Sequence, residues 1–111
     1  AGTVTAYWWG NEFDGRRANN NGRGTLPVGD ERRRNPWGLY DMLGNVWEWT
    51  SSLYRDYPYR GEDGREDSAA IGNRAVRGGS WRTNPRNLRS AYRYWFGPRR
   101  CGDYLGFRCA Q

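Results

Sequence analysis

Seven Trp and eight Tyr stand against only 14 residues of Val, Ile, Leu and Phe combined in a chain of 111. That ratio narrows the fold more than any single motif does. A share of these apolar residues below about one-fifth, with a large net charge, ordinarily marks a chain that stays disordered. Indole and phenol rings each bury roughly 150–250 Å², so a core made of rings offsets the aliphatic deficit. Sixteen Gly and nine Asn call for many turns, because both residues reach positive φ cheaply and both weaken helix interiors. The length suits one domain, since single domains run to roughly 100–200 residues. One loop-rich domain over residues 1–111, with an aromatic core and little helix, is the expectation.

Composition removes several kinds of chemistry. The chain has no His, which excludes an imidazole base, a Ser-His or Cys-His nucleophile pair and any His-containing zinc site. All 18 basic residues are Arg; without Lys there is no phosphate-loop lysine and no Schiff base. No organic cofactor is implied. Two cysteines, Cys101 and Cys109, are too few for a disulfide framework or a thiolate metal site. No stretch approaches the roughly 18 apolar residues of a membrane helix, and the first residues lack the order of a signal peptide. The expected state is soluble, without membrane insertion.

Charge is concentrated. Residues 1–77 hold eleven Arg against eleven acids, whereas residues 78–111 hold seven Arg against Asp103 alone, so the net +6 resides in the last third. Interleaved with those Arg are Tyr92, Tyr94, Trp95, Phe96 and Tyr104. Such a mixture suits a groove for single-stranded nucleic acid. It equally suits a protein-binding paratope, which favours Tyr, Trp, Arg, Asn and Gly.

Along the chain, Thr3–Trp9 alternates like a short strand, and residues 14–36 read as coil with Arg32, Arg33 and Arg34 in a solvated loop. Trp47 and Trp49 alternate with Val46 and Glu48, the spacing of a strand with one buried face. Residues 54–74 form a polar loop. Strand-like segments follow at Ala75–Trp81, Leu88–Tyr94 and Leu105–Ala110.

Five segments in order, Pro36–Met42, Gly44–Trp49, Arg77–Trp81, Leu88–Arg93 and Leu105–Ala110, resemble the formylglycine-generating-enzyme (sulfatase-modifying factor) family, a branch of the C-type-lectin-like fold. The stretch from Trp9-Gly10-Asn11 to Pro27-Val28-Gly29 is similar more loosely. The resemblance implies an α+β, loop-rich, minimal version of the fold with short antiparallel strands. The family's helical N-terminal half has no counterpart here. The oxidase's two copper-binding cysteines would fall at Thr83 and Leu88, and its iron-dependent relatives need His. The resemblance therefore implies a protein that is not an enzyme, with a degenerate oxidase as one alternative.

Residues 78–108 further resemble the variable region of diversity-generating retroelement target proteins, in which error-prone copying at adenines randomises one face of the scaffold. Carried onto this chain, the variable, ligand-binding positions are Arg82, Thr83, Asn84, Asn87, Tyr92, Tyr94, Phe96, Gly97, Cys101, Gly102, Asp103 and Tyr104. Each residue type is reachable from an Asn codon by changing adenines. Trp95 is not, and is expected to be a fixed part of the site or its rim. The implied partner is a macromolecule, a protein on a cell or virus surface, with nucleic acid as the alternative. An exposed cluster of Tyr92, Tyr94, Phe96 and Tyr104 would mark that surface. Arg89, Arg93 and Arg108 are assigned to the scaffold, at least one of them paired with Glu48 or Asp41. The resemblance also implies a structural calcium ion on the side chains of Asp41 and Glu48 and the carbonyls of Gly44 and Val46. Pairing of Glu48 with an Arg accounts for the same residues.

Overall fold

Trp47 and Trp49 lie on the longest strand, β1 (Trp47–Leu53), as their alternation predicts. The computed structural model describes residues 3–109. Three further strands complete one sheet: β2 (Arg74–Arg77), β3 (Arg93–Phe96) and the two-residue β4 (Leu105–Gly106). Their spatial order is β3-β2-β1-β4. β2 pairs antiparallel with both β1 and β3, whereas β1 and β4 run parallel. The expectation of antiparallel strands thus fails at one edge of the sheet. The α+β description holds loosely, because helix among the described residues is confined to two 3-10 turns, Glu31–Arg33 and Pro85–Leu88.

The other strand expectations shift for identifiable reasons. Thr3–Trp9 forms a single bridge, Tyr7 to Gly10, since its rings pack on one another instead of extending a ladder. The segment expected to run on to Trp81 stops at Arg77, where Gly78 and Gly79 both take positive φ and turn the chain. Leu88 closes a 3-10 turn that Asn84 caps by accepting from the Arg86 N–H, so β3 begins only at Arg93. In the segment expected to reach Ala110, pairing ends at Gly106; Ala110 itself lies outside the described residues.

Two clusters of rings replace an aliphatic core. Tyr7, Ala18, Leu43 and Leu88 are buried with Trp8, Trp9 and Phe13 against them, and Tyr7 stacks on Trp9 at 5.0 Å. Trp47, Val76 and Tyr104 form the second, flanked by Trp49, Trp81, Tyr92 and Phe96. Offset and edge-to-face rings at such spacings add about 0.5–1.5 kcal/mol per pair beyond their burial.

The loops are held by side chains that reach backbone. Asn45, at φ 67°, accepts from Leu26 N–H and from Asn19 Nδ2, and donates through Nδ2 to the Leu26 carbonyl. Gly44, at φ 83°, lies so close to Asn19 that an added Cβ would sit 2.5 Å from the Asn19 carbonyl oxygen.

Arginine is the second device. Arg74 donates to the carbonyls of Ser51, Asp67, Ser68 and Ala70, fixing the 67–70 loop to β1. Arg33, expected in a solvated loop, is instead buried, with Nε 2.5 Å from Asp41 Oδ1 and Nη2 donating to the Pro27 carbonyl. Arg32 and Arg34 are exposed as expected. Asp14-Gly15-Arg16, Asp30-Glu31-Arg32 and Asp63-Gly64-Arg65 repeat one local unit, in which the carboxylate accepts from the backbone N–H and the guanidinium of the Arg two residues on.

Two outcomes follow. Asn45→Ala strands the Leu26 amide and carbonyl and lowers unfolding free energy by about 3 kcal/mol, read from the urea midpoint at unchanged m-value. In the Asp-x-Arg units, hydrogen bonds from the arginines hold the Asp14, Asp30 and Asp63 carboxyls down at about 2. Depressed carboxyls give stability that is present above the unfolded value near 4 and is lost as pH falls toward 2. Thermal midpoints are therefore expected to drop between pH 4 and pH 2, less steeply in the triple Asp→Asn variant.

Candidate ligand-binding groove

The turn after β2 sets the site. Gly44 N–H donates to the Gly78 carbonyl and Trp81 N–H to the Asn45 carbonyl, so residues 78–81 are tied to the start of β1. Gly79 then passes beneath Leu88 and Thr83; a Cβ there would meet Leu88 Cδ2 at 2.3 Å. Leu88 is fully buried, and Thr83 Oγ1 accepts from Ser80 N–H at 2.8 Å. The Tyr104 carbonyl accepts from Trp47 N–H, which brings the 97–104 loop back over the same end of the sheet.

Between these segments lies an open groove of about 410 Å³. Arg82, Thr83, Asn84, Asn87, Tyr92, Tyr94, Phe96 and Tyr104, all named from sequence, line it together with Trp47, Ser80 and Arg100. Tyr92, Tyr94 and Phe96 reach it together because alternate residues of an extended segment share a face. Trp95 alternates to the opposite face and stacks on Tyr94 at 5.8 Å, 42% exposed, outside the groove lining. Gly97, Cys101, Gly102 and Asp103 also lie outside the lining, in the connection to β4, where the last three are exposed.

The aromatic cluster is less exposed than expected. Tyr104 is 8% exposed and belongs to the core. Arg82 stacks over its ring at 4.4 Å, and Arg100 lies 5.7 Å from the centroid while donating from Nε to the Tyr104 hydroxyl at 2.6 Å. Gly102 packs on the same ring: an added Cβ would come within 2.6 Å of Tyr104 Cε1. Tyr94 is 41% exposed, whereas Tyr92 and Phe96 are half-buried. Ser80 and Arg100 entered the lining without being singled out from sequence. Arg100 precedes Cys101, which was, and carried a readable signal as a basic residue between Phe96 and Tyr104.

Tyr92 also borders a larger open concavity, about 600 Å³, lined by Ala6, Tyr54, Tyr57, Arg89 and Arg93 among others. Arg93 sits there between rings, 4.5 Å from Tyr54 and 4.0 Å from Tyr57. The scaffold assignment of the three arginines therefore divides. Arg108 donates to both oxygens of Glu48 and to the Tyr40 carbonyl, which also raises the guanidinium's hold on its proton. Among the described residues Arg93 is held by rings without a carboxylate, and Arg89 reaches only the nearby Arg86 carbonyl.

The same contacts bear on the calcium set. Both Glu48 oxygens face Arg108, and Asp41 Oδ1 faces Arg33. Asp41 Oδ2 is buried without a partner. A divalent cation on Asp41, Gly44, Val46 and Glu48 would have a guanidinium against each of its two carboxylates. A hard cation wants six to eight oxygens, and these residues do not fit it; the arginine pairing accounts for them.

A model for the sulfatase-modifying factor enzyme 1-like domain matches residues 1–111. The mouse protein named inactive C-alpha-formylglycine-generating enzyme 2 is 35% identical over 94% of the chain, which spans 36% of that protein. Hercynine oxygenase of Mycobacterium tuberculosis is 36% identical over 98% of the chain, which spans 28% of it. The chain thus covers about a third or less of the length of these curated relatives. Among solved structures, Treponema denticola variable protein 1 matches with a TM-score of 0.68 and 28% identity, over 83% of this chain and 34% of that one. That likeness agrees with the C-type-lectin-like architecture expected from sequence.

With both carboxylates already paired, added calcium is expected to leave the thermal midpoint unchanged, whereas Glu48→Gln lowers stability by about 1 kcal/mol, discounted for the exposure of Arg108. Calorimetric scans of the two proteins with calcium and with chelator check both.

Proposed function

The chain belongs to the family of sulfatase-modifying factor enzyme 1-like domains, and from that premise we propose that it is a non-enzymatic ligand-binding scaffold whose groove takes a macromolecular ligand, a protein at a cell or virus surface. One observation carries the proposal: residues more than 30 positions beyond the Gly44–Trp49 motif converge with Trp47 on one concavity, and eight of the twelve positions that the variable-region resemblance names are among them. Loops on a rigid sheet are where binding residues concentrate, because the scaffold bears the folding cost and the loop side chains do not.

The oxidase alternative has an observation in its favour, the match to an oxygenase. Against it stands the chemistry of the chain itself. The positions matching the oxidase's thiolates hold Thr83, bonded to Ser80, and Leu88, sealed in the core, and no imidazole is present. Likeness to a relative named inactive is consistent with this reading.

Diversification of residues 78–108 is the finer part of the proposal. Its genetic test is sequencing of the DNA around the gene. A reverse transcriptase beside a near-copy of this segment, differing at template adenines, is the expected result. A lone gene with no repeat would make this an ordinary lectin-like relative with a fixed partner. The structural test is tolerance. Exchanging exposed Arg82, Cys101 or Asp103 for Ser is expected to shift stability by no more than about 0.5 kcal/mol. Gly102→Ala, which presses on Tyr104, and Tyr104→Ser, which empties part of the core, cost about 1–3 kcal/mol or more. Equal losses at all five positions in denaturant titrations would sink the claim that the groove surface is separable from the scaffold.

A further inference from the structure

We infer that the groove selects acidic protein ligands, with Arg82 and Arg100 gripping side-chain carboxylates of an exposed Asp/Glu-rich segment. This inference rests on the groove being the ligand site.

The charge of the lining is one-sided. Arg82 and Arg100 border the groove, and no Asp or Glu does. Elsewhere in the chain, arginines near carboxylates are paired: Arg33 with Asp41, Arg65 with Asp63, Arg108 with Glu48. Among the described residues neither Arg82 nor Arg100 has an ion pair. Asp103 is the only acid in residues 78–108, and it too makes none. The two cations are thus left uncompensated beside a concavity walled by rings and free of lining carboxylates, whereas the larger concavity at Arg93 has Asp56 in its wall.

Their posture suits a carboxylate. Arg82 lies over Tyr104 at 4.4 Å and near Trp81 at 5.5 Å; Arg100 lies near Tyr104 at 5.7 Å and Phe96 at 5.9 Å. Arg82, stacked on a ring, keeps its in-plane N–H groups free, and Arg100, whose Nε is taken by the Tyr104 hydroxyl, keeps its Nη groups; either pair matches the two oxygens of a carboxylate. Stacking also fixes the side chain before binding, which lowers the entropy lost when the pair forms.

The same stacking disfavours single-stranded nucleic acid. Base binding needs open ring faces as platforms. Here Tyr104 is buried beneath the two guanidiniums, Tyr94 stacks on Trp95 with their planes 9° apart, and Phe96 meets Tyr94 edge-on at 5.5 Å. The faces next to the cations are already taken. What remains beside the cations is guanidinium edges, side-chain amides and hydroxyls, with the exposed part of Tyr94, which suits a polar, acidic polypeptide.

The test combines an unbiased selection with defined probes. A random peptide-display library is selected on the chain, and the selected peptides are mapped by hydrogen-exchange protection. A fluorescein-labelled oligoglutamate peptide and an oligothymidylate are titrated at the same salt against the parent protein, Arg82→Gln, Arg100→Gln and the double variant, each checked for an unchanged thermal midpoint. The expected result is acid-rich selected peptides that protect residues 82–104. Oligoglutamate binding should weaken about fivefold for each single variant, the upper end for exposed pairs. Peptides that protect the groove without an excess of acid, or oligoglutamate binding that both variants leave intact, would overturn the acidic assignment and leave the groove as a ligand site. Protection elsewhere on the molecule would overturn the groove reading and this inference with it. Oligothymidylate bound more tightly than oligoglutamate, and lost in the double variant, would replace the acidic protein with nucleic acid.

Discussion

Everything around the groove depends on one asparagine. Asn45 takes a left-handed backbone conformation at the entry to β1, and from there its backbone N–H donates to Asn19 while its carbonyl accepts from Trp81. Its side chain closes a two-way bond with Leu26 and accepts from Asn19. Three segments that share no ladder, residues 19–26, the start of β1 and the turn at Trp81, are thereby fixed to one residue. Buried amide groups of this kind cost free energy unless satisfied, so the junction forms as a unit or not at all. Asn is the residue that tolerates such a φ while offering both a donor and an acceptor. Gly44 beside it lets the Asn19 backbone approach where a Cβ would collide. The groove's first wall, residues 80–84, hangs from that junction.

Arginine does for the rest of the loops what a ladder does for strands. A loop-rich chain has many carbonyls that neither helix nor sheet can satisfy. One planar cation with five donors meets several of them at once: Arg74, Arg65, Arg77 and Arg108 each reach two or more carbonyls, those of Arg74 on two separate segments. Lysine, with a point charge on a flexible stem, cannot present that fork. The composition of 18 Arg and no Lys is thus in large part a folding device. Its basic appearance overstates the surface open to a polyanion: Arg33 and Arg65 are buried with their acids.

Sequence legibility followed physical locality. The ring-built core and β1 were readable because the aromatic composition and the Trp47/Trp49 alternation are local signals, whereas the residues that line the groove were named through the variable-region resemblance. Strand ends were not, since Gly78 and Gly79 stop β2 through steric fit under Leu88, a contact made only after folding. The parallel pairing of Leu105–Gly106 with Trp47–Glu48 joins residues nearly 60 positions apart, and no local pattern encodes it. Arg33 read as solvated because its neighbours Arg32 and Arg34 are, yet its Asp41 partner lies across a hairpin closed by the Arg34–Tyr40 bridge. Tyr104 was placed in the exposed aromatic cluster through the variable-region resemblance; the Trp47 N–H that fixes its backbone draws the ring inward.

The groove combines the two devices in opposite senses. In the scaffold, Arg33, Arg65, Arg74 and Arg108 are consumed by carbonyls or a carboxylate, so their charge is spent on folding. At the groove, Arg82 and Arg100 are held by ring faces and one hydroxyl, which orient the cation without neutralising it. Rings that pack a core on one side and carry guanidiniums on the other thereby transmit the rigidity of the Asn45 junction to charges that remain available. Nearby, the exposed Cys101 and Asp103 contribute little to that rigidity, whereas Gly102 leaves the room that the Tyr104 ring fills. A surface arranged in this way can change its outer contacts while the Trp47 and Val76 core beneath them persists, which separates what a ligand-binding lineage can vary from what it must keep.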